Sequence, residues 1–232
     1  MAILEPAIEL CGDSCLLFTW TADDDAAVEF SIHAAHISLT SAALPAVNGC
    51  VPGWNSLAVH FDPLRISPAN LQRQVLEILK KAGTVELPTP RLLMLQVSFQ
   101  ADDAHDLPDV ARHSGISMED CVRLLVETEL RVRMMGFAPG FPYLTGLPDL
   151  LQVPRRATPR LRVPAGSLAL AGGLAGIYPQ PSPGGWQLVG RVLQPLFSPH
   201  SSPVCLLQPG DRVRFVEVKS EISGKGAGEA IA

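Results

Sequence analysis

One stretch of the chain, residues 136–186, constrains the fold more than any other. It holds 9 of the 19 glycines and 9 of the 21 prolines. Glycine allows backbone conformations that other residues resist, and proline fixes φ and removes a donor, so a run rich in both usually indicates disorder. Here, however, aromatic residues recur within the run, and a disordered linker has little use for them. They include Phe141, Tyr143, Tyr178 and Trp186. The stretch therefore predicts a shaped surface of ordered loops and short strands.

Composition limits the classes of protein to which the chain can belong. Of its 232 residues, 47% are hydrophobic, which suffices for a sizeable core in one large domain or two small ones. The formal net charge is −5, whereas a general nucleic-acid binder is usually basic, so nucleic acid is not an expected partner. The first residues lack the pattern of a signal peptide, and no apolar run is long enough to cross a membrane. Five cysteines without a CxxC pair favour reduced thiols, so a cytoplasmic protein is predicted.

The first 86 residues predict a small α+β domain. The predicted strands are 7–12, 14–20, 47–52 and 57–61. Gly12-Asp13 indicates a hairpin turn between the first two. One helix begins at the acidic run 23–25, because acids favour the N-terminal end of a helix, and another begins at Ser67-Pro68. The order ββαββα is typical of a sheet with helices on one face.

The best domain boundary is Leu87-Pro88-Thr89-Pro90, because two prolines in four residues make a stiff, extended connector. Beyond it, residues 87–222 predict many short strands with Gly/Pro turns and two short helices, at 107–113 and 117–127. This pattern is typical of an all-β barrel or sandwich. The last residues, 223–232, have little to bury and predict a disordered tail.

Several catalytic and metal-binding signatures are absent. The chain has no GxxxxGK[ST] phosphate loop, no GxGxxG between a strand and a helix, and no GxSxG nucleophile elbow. His33 and His36 lie three residues apart on a predicted helix, but no third ligand has a helpful spacing, so no metal site is predicted. Asp102, Asp103 and Asp106 are interpreted as a solvated loop rather than as a cation site.

The strongest electrostatic feature of the Gly/Pro-rich stretch is a group of four arginines, Arg155, Arg156, Arg160 and Arg162. A guanidinium presents a planar fork of donors that suits a carboxylate or a phosphate, and it keeps its charge. Two interpretations stay open: the arginines bind an external anion, or they line a solvated loop or pair with the acidic loops. Gly172-Gly173 and Gly184-Gly185 either bring backbone N–H groups close to a ligand or form tight turns.

The same stretch lacks the groups that usually perform acid–base catalysis. It contains no histidine, lysine, glutamate or cysteine, and Asp149 is its only acid. A surface so well shaped and so poor in bases predicts half of a site that a second chain completes. Two hypotheses follow from the residues: one component of a multi-chain enzyme with an anionic substrate, or a regulatory module that docks a partner protein.

Three segments resemble one known family. MGFAPGFPYLTGLP (135–148), PRRATPRLRVPAGS (154–167) and AGGLAGIYPQPSPGGWQLVGR (171–191) are similar to the B subunit of bacterial 5-oxoprolinase. The same family includes the Kip inhibitor of a sporulation histidine kinase. It also includes the first subunit of allophanate hydrolase, which is found fused within urea carboxylase. Comparable segments at 12–20 and 111–137 extend the resemblance over nearly the whole chain.

The resemblance implies an N-terminal α+β domain followed by a C-terminal cyclophilin-like β-barrel. It also implies a non-autonomous subunit that assembles with the homologous C subunit and with the A subunit of the enzyme. In that hetero-oligomer, 5-oxoproline is hydrolysed to glutamate at the expense of ATP, with Mg²⁺, and no cofactor belongs to this chain alone. The small anionic substrate and the phosphoryl group both suit the arginines. The candidate substrate-binding residues are Phe141, Tyr143, Arg155, Arg156, Arg160, Arg162, Gly172, Gly173, Tyr178, Gly184, Gly185 and Trp186.

The chain departs from the family pattern at three places. Its loop VSFQADDAHDL (97–107) has no glycine where the family has a Tyr/Gly/Gly-type loop before Asp-Leu. Leu174-Ala175 stands in place of the usual Gln-Thr, and Phe197-Ser198-Pro199 in place of Phe-Asp-Pro. These losses of polar groups keep two other roles open: a Kip-type inhibitor of a sensor histidine kinase, and a component of the urea carboxylase or allophanate pathway.

Overall fold

The computed structural model of the chain describes residues 3–218. Its N-terminal part contains four strands and two helices in the predicted order ββαββα. These elements are β1 (Ala7–Leu10), β2 (Cys15–Thr19), α1 (Asp25–Ala42), β3 (Val47–Pro52), β4 (Ser56–Phe61) and α2 (Pro68–Ala82). The strands form one antiparallel sheet in the order β1-β2-β4-β3.

Alternation along the central strands creates the core of this part. Phe18 on β2 and Leu57, Val59 and Phe61 on β4 are buried, and they form one hydrophobic cluster with the apolar faces of α1 and α2. Successive side chains of a strand point to opposite faces, so every second residue reaches the helices. The helical periodicity of Leu71, Val75 and Leu79 supplies the matching face of α2.

Both helices begin at the residues that the sequence indicates. The Asp24 carboxylate accepts the backbone N–H groups of Ala26 and Ala27, at 3.0 and 3.1 Å. The Ser67 hydroxyl accepts the N–H of Asn70 at 3.4 Å. These bonds satisfy donors that have no partner inside the first turn of a helix.

The rest of the described chain is dominated by short strands. In chain order the elements are β5 (Leu92–Ser98), α3 (Leu107–Ser114), α4 (Met118–Glu127), β6 (Leu130–Met135), β7 (Pro142–Thr145), a 3-10 helix (Asp149–Leu151), β8 (Arg160–Val163), β9 (Ser167–Ala171), β10 (Leu174–Ile177), β11 (Ser182–Gly184), β12 (Gln187–Val192) and β13 (Arg212–Glu217). Seven strands close a barrel in the order β10-β7-β6-β13-β5-β12-β9, and β8 pairs with β11 in a separate two-stranded sheet. The predicted α+β class is confirmed. Of the two architectures predicted for the strand-rich part, the structure shows the closed barrel and not the sandwich.

The two short helices end and begin as predicted. Gly115 follows α3 in the left-handed conformation, with φ 68°, and its N–H donates to the carbonyl of Ala111. The Ser117 hydroxyl accepts the N–H of Asp120 at 3.0 Å and donates to the Asp120 carboxylate at 2.7 Å, so Ser117 caps α4. Cys121 is buried on the inner face of α4.

By the density of its contacts, the chain divides into two compact units. Within the described residues, the first unit takes 3–91, 131–144 and 207–212, and the second takes 92–130, 145–206 and 213–218. The domains predicted at 1–86 and 87–222 stay a prediction. The predicted tail, 223–232, lies outside the described residues.

Two expectations from composition concern thiols and membranes. All five cysteines fall within the described residues, and each is a free thiol. Among residues 3–218, no helix combines the length and the apolar composition that crossing a membrane requires. The cytoplasmic location stays a prediction.

Gly166, just before β9, provides a test of the barrel packing. It has φ +82°, and a Cβ there would lie 2.5 Å from the carbonyl oxygen of Val192, which belongs to rigid backbone. We expect Gly166→Ala to lower the free energy of unfolding by about 3 kcal/mol or more, because left-handed strain and overpacking add. Denaturation in urea measures the loss.

The matched control is Gly12→Ala. Gly12 also has a left-handed φ, of +68°, but a Cβ there meets nothing within 4 Å. Gly12→Ala should lower the free energy of unfolding only by the backbone strain, about 1 kcal/mol. Equal losses in the two variants would contradict the packing described around Gly166.

Candidate functional site

Arg156 and Arg160 converge on a single carboxylate, that of Asp106. Arg160 binds it with both terminal nitrogens: Nη1 donates to Oδ2 and Nη2 to Oδ1, each at 2.8 Å. Arg156 Nη1 donates to Oδ1 at 2.6 Å. Asp106 precedes Arg156 by 50 residues in the sequence, so only the folded chain brings the three together. We call Asp106, Arg156 and Arg160 the Asp106 cluster.

Asp106 is only 2% exposed, so the prediction that the acidic loop is solvated is wrong at this residue. It holds at Asp102, which is exposed. A buried carboxylate is costly unless it is hydrogen-bonded and paired with positive charge. Of the interpretations left open for the arginines, pairing with the acidic loop is what the structure shows for Arg156 and Arg160.

The partners of Asp106 outweigh the effect of its burial on the pKa. Burial alone would raise the pKa of this carboxyl, but the hydrogen bonds from Arg160 and from the N–H of Leu188, with the charges of Arg160 and Arg156, hold the pKa below its ordinary value. The N–H of Leu188 donates to Oδ2 at 2.7 Å. Asp106 is therefore ionised at neutral pH, and its two oxygens accept four hydrogen bonds between them.

The short sheet of β8 and β11 positions the arginines. Arg160 opens β8 and lies opposite Gly184 of β11. The N–H of Arg156 donates to the carbonyl of Gly185 at 2.8 Å. Gly184 also makes room for Tyr178, because a Cβ at Gly184 would lie 2.2 Å from the Tyr178 hydroxyl oxygen. Close packing therefore requires the glycine at position 184.

Other predicted binding residues of the second unit have different surroundings. Arg155 and Arg162 are exposed, and Trp186, just before β12, is buried. Gly172-Gly173 forms the turn between β9 and β10, where it contacts residues 152–153. Within the described residues, Arg156 and Arg160 are thus the two predicted arginines that join a buried ion-paired site.

Phe141 and Tyr143 belong to the first compact unit. Their ring centroids lie 5.1 Å apart, and Phe141 is buried. Phe137 contacts Phe141 edge-on, with ring centroids 5.3 Å apart, and its own side chain is exposed. Phe141 and Tyr143 therefore form an aromatic group together with Phe137, which presents the accessible ring.

The first unit contains a second charged cluster, centred on Glu29. Arg131 Nη2 lies 2.8 Å from Oε1 of Glu29, and Arg133 Nη1 lies 2.6 Å from Oε2. Arg133 also donates to the carbonyl of Trp54 at 3.0 Å and lies 5.2 Å from the centre of its ring. His33 Nε2 lies 3.5 Å from Oε1 of Glu29, so this histidine packs against the cluster. The sequence did not indicate this cluster.

Asp106 is the functional candidate that sequence reasoning missed. One feature of the sequence indicated that the arginines need an acidic partner from elsewhere in the chain. The Gly/Pro-rich stretch contains four arginines and one acid. Arginines that come together in a fold need a counter-ion, and an acidic loop that directly follows a buried strand is a natural source. The Asp-Leu pair at 106–107, noted in the resemblance, was the second signal.

Comparison with known proteins assigns the chain to a class. The family described as "Carboxyltransferase domain, subdomain C and D" matches residues 6–207. The structure of TTHA0988 superposes with a TM-score of 0.77 at 34% identity, covering 89% of this chain and 40% of that one, so this chain spans less than half of TTHA0988. Urea amidolyase of K. lactis has a TM-score of 0.74 at 19% identity over 94% of this chain and 15% of that one, which shows the fold alone. The cyclophilin-like barrel is consistent with these neighbours.

Two curated relatives narrow the class. The chain is 33% identical over 224 residues to the B subunit of 5-oxoprolinase from Bacillus subtilis (strain 168), covering 92% of this chain and 93% of the relative. It is 39% identical over 183 residues to the protein of the same name from Escherichia coli O157:H7, covering 77% and 82%. The chain belongs to the family of 5-oxoprolinase B subunits, and this membership supports a role in an enzyme.

The lowered pKa of Asp106 predicts how stability depends on pH. The folded-state pKa lies below the ordinary value of 3.8, so the ionised carboxylate stabilises the fold above that pH and the contribution is lost as the pH falls through the folded value. We expect the free energy of unfolding to decline below about pH 4 and to decline less steeply in Asp106→Asn. Urea denaturation at a series of pH values measures both slopes.

The control variant for this titration is Asp102→Asn, since Asp102 lies in the same loop and is exposed. Its stability should follow the wild-type pH dependence. If Asp106→Asn also follows the wild-type curve, the ion pairs of Asp106 do not stabilise the fold.

Proposed function

We propose that the chain is a non-autonomous component of an ATP-dependent 5-oxoprolinase, which hydrolyses 5-oxoproline to glutamate together with the A and C subunits of that enzyme. The relatives at 33% and 39% identity are 5-oxoprolinase subunits, and the longer of the two matches covers 92% of this chain. The likeness to urea amidolyase shows only the fold, so it favours no change of substrate. The name of the relatives implies further subunits, which agrees with a site that one chain leaves incomplete.

The observation that carries the proposal is the excess of positive charge at the Asp106 cluster. One carboxylate is shared by two guanidiniums, whose side chains are 30% and 21% exposed for Arg156 and Arg160. The cluster therefore suits an anion, such as the carboxylate of 5-oxoproline or a phosphoryl group.

ATP and Mg²⁺ make different demands on these residues. The surplus positive charge of the two partly exposed arginines fits a phosphoryl oxygen. Mg²⁺ requires oxygen ligands, and both oxygens of Asp106 are already occupied by four hydrogen bonds. In the assembled complex, the arginines would hold the phosphoryl group or the substrate carboxylate, and the ligands of the metal would come from outside this cluster.

The cluster contributes binding rather than proton transfer. Asp106 is ionised, but its pKa lies below the ordinary value and its oxygens are occupied, so it is a weak general base. An arginine does not release its proton at neutral pH. Opening the stable lactam therefore needs acid–base groups from another chain of the complex, and we expect this chain to be inactive alone.

Reconstitution tests the proposed reaction. The chain mixed with the A and C subunits should hydrolyse ATP in the presence of 5-oxoproline and release glutamate, whereas the chain alone should do neither. Omission of this chain from the mixture is the control. A complete trio without oxoproline-dependent ATP hydrolysis would rule the proposal out, and binding to the dimerisation domain of a histidine kinase would then favour the inhibitor role.

Substitution of the arginines tests the site. We expect Arg156→Gln and Arg160→Gln to lower kcat/KM for 5-oxoproline about tenfold or more, because each removes a charged hydrogen bond of about 1.5–3 kcal/mol. Arg162→Gln removes the same charge from an exposed position and should cost less than threefold. Melting temperatures separate lost folding from lost binding. Equal losses at all three positions would show that net charge alone matters.

A further inference from the structure

Asp106 differs from the N-cap residues of α1, α2 and α4 in the hydrogen bonds of its side chain. It is the N-cap residue of α3, where an aspartate usually accepts N–H groups of the first turn, yet its side chain makes no capping hydrogen bond. Asp24, Ser67 and Ser117 all cap their own helices. Helix α3 therefore lacks a capping hydrogen bond, which typically stabilises a helix by about 1 kcal/mol. The carboxylate of Asp106 binds other partners instead.

The carboxylate is instead fixed against strand β12. The N–H of Asp106 donates to the carbonyl of Leu188 at 2.8 Å, and the N–H of Leu188 donates to Oδ2 of Asp106 at 2.7 Å. This reciprocal pair ties both the backbone and the side chain of Asp106 to one residue of the barrel. The position of the carboxylate is therefore set by the barrel before either arginine is considered.

The fixed carboxylate brings two like charges together. Its Oδ1 accepts both Nη1 of Arg156, at 2.6 Å, and Nη2 of Arg160, at 2.8 Å. Two guanidiniums that share one oxygen atom would repel each other without it. The carboxylate neutralises one of the two positive charges, and the other is left for a ligand.

We propose that Asp106 is a positioning residue that holds Arg156 and Arg160 as a paired receptor for one oxyanion of the substrate, a carboxylate or a phosphoryl group. The assignment of this ligand to the 5-oxoprolinase reaction rests on the proposed function. The side chains of Arg156 and Arg160 are 30% and 21% exposed, and the receptor contacts the oxyanion through these accessible parts of the two arginines. Asp106 itself does not touch the ligand, because its oxygens are occupied by the arginines and Leu188.

A carboxylate that competes with the ligand and a carboxylate that positions the arginines predict opposite changes in anion affinity when Asp106 is neutralised. If the carboxylate competed with the ligand for the arginines, its neutralisation would free donors and tighten anion binding. If it positions the arginines, its neutralisation releases them from their shared geometry and weakens binding, although the net positive charge rises. The sign of the change in affinity therefore separates the two roles.

The experiment compares Asp106→Asn with Asp211→Asn. Asparagine keeps an acceptor for the N–H of Leu188 but removes the charge. Asp211 is a matched control: it is buried, Arg91 binds its two oxygens, and the N–H of Gln208 donates to it at 2.8 Å. Each variant is assayed in the reconstituted trio for KM and kcat with 5-oxoproline. The isolated chain is titrated calorimetrically with inorganic phosphate and with 5-oxoproline, which distinguishes a phosphoryl ligand from a carboxylate.

We expect Asp106→Asn to raise KM for 5-oxoproline about tenfold with kcat changed less than twofold, because uniform binding is lost. Binding of the preferred anion to the chain alone should weaken by a similar factor, and Asp211→Asn should change neither. Should Asp106→Asn fail to fold, Asp106→Glu keeps the charge at a shifted position and should give a smaller rise in KM.

Three results with the variants would overturn the proposal: unchanged affinity in Asp106→Asn, tighter anion binding in Asp106→Asn, or the same loss in Asp211→Asn. A wild-type chain that binds neither phosphate nor 5-oxoproline would overturn it as well. If the wild-type trio is inactive but phosphate binding depends on Asp106, the proposed reaction fails and the receptor stands. If the trio is active and its KM is insensitive to Asp106, the receptor fails and the reaction stands.

Discussion

The ion-paired carboxylate of Asp106 is the interaction on which the candidate site depends. It joins three separate segments of the chain: the loop before α3, the short sheet of β8 and β11, and strand β12. A carboxylate that is 2% exposed needs such partners, because an unpaired buried charge is strongly destabilising. The same bonds that make its burial tolerable also fix the arginines, so local stability and the electrostatics of the site have one origin.

The two charged clusters of this protein share a composition and differ in access. Each combines one buried acid with two arginines, but the Arg133 side chain of the Glu29 cluster is 4% exposed and contacts Trp54. Nothing as large as a substrate carboxylate can approach a side chain so completely covered, which favours a structural role for Arg133. Arg131 of the Glu29 cluster is 49% exposed, so only one arginine of that cluster is accessible. In the Asp106 cluster both arginines keep a fifth to a third of their side-chain surface exposed, so two guanidiniums can reach the same anion, and this makes the Asp106 cluster the better candidate for ligand binding.

Local chemistry explains which parts of the fold could be predicted. Caps at Asp24 and Ser67, alternation along β4 and the turn residues of the barrel all act within a few residues, and the structure confirms them. Arg156 and Arg160 were predicted as an anion site from their side-chain chemistry. Their counter-ion was not, because it lies 50 residues away from Arg156 and no local pattern records a contact of that range. The closed barrel, likewise, depends on strand pairings across the sequence.

The central claim is that the Asp106 cluster binds an oxyanion through its two partly exposed arginines, Arg156 and Arg160. The most direct measurement is the ¹⁵N-edited NMR spectrum of the arginine Nε–H groups, assigned with Arg156→Gln, during titration with 5-oxoproline and with inorganic phosphate. The account predicts a saturable shift of the Arg156 signal, because the partly exposed guanidinium of Arg156 binds the anion, while the exposed Arg162 signal stays in place. An Arg156 signal that does not move at saturating concentrations of both anions would contradict it.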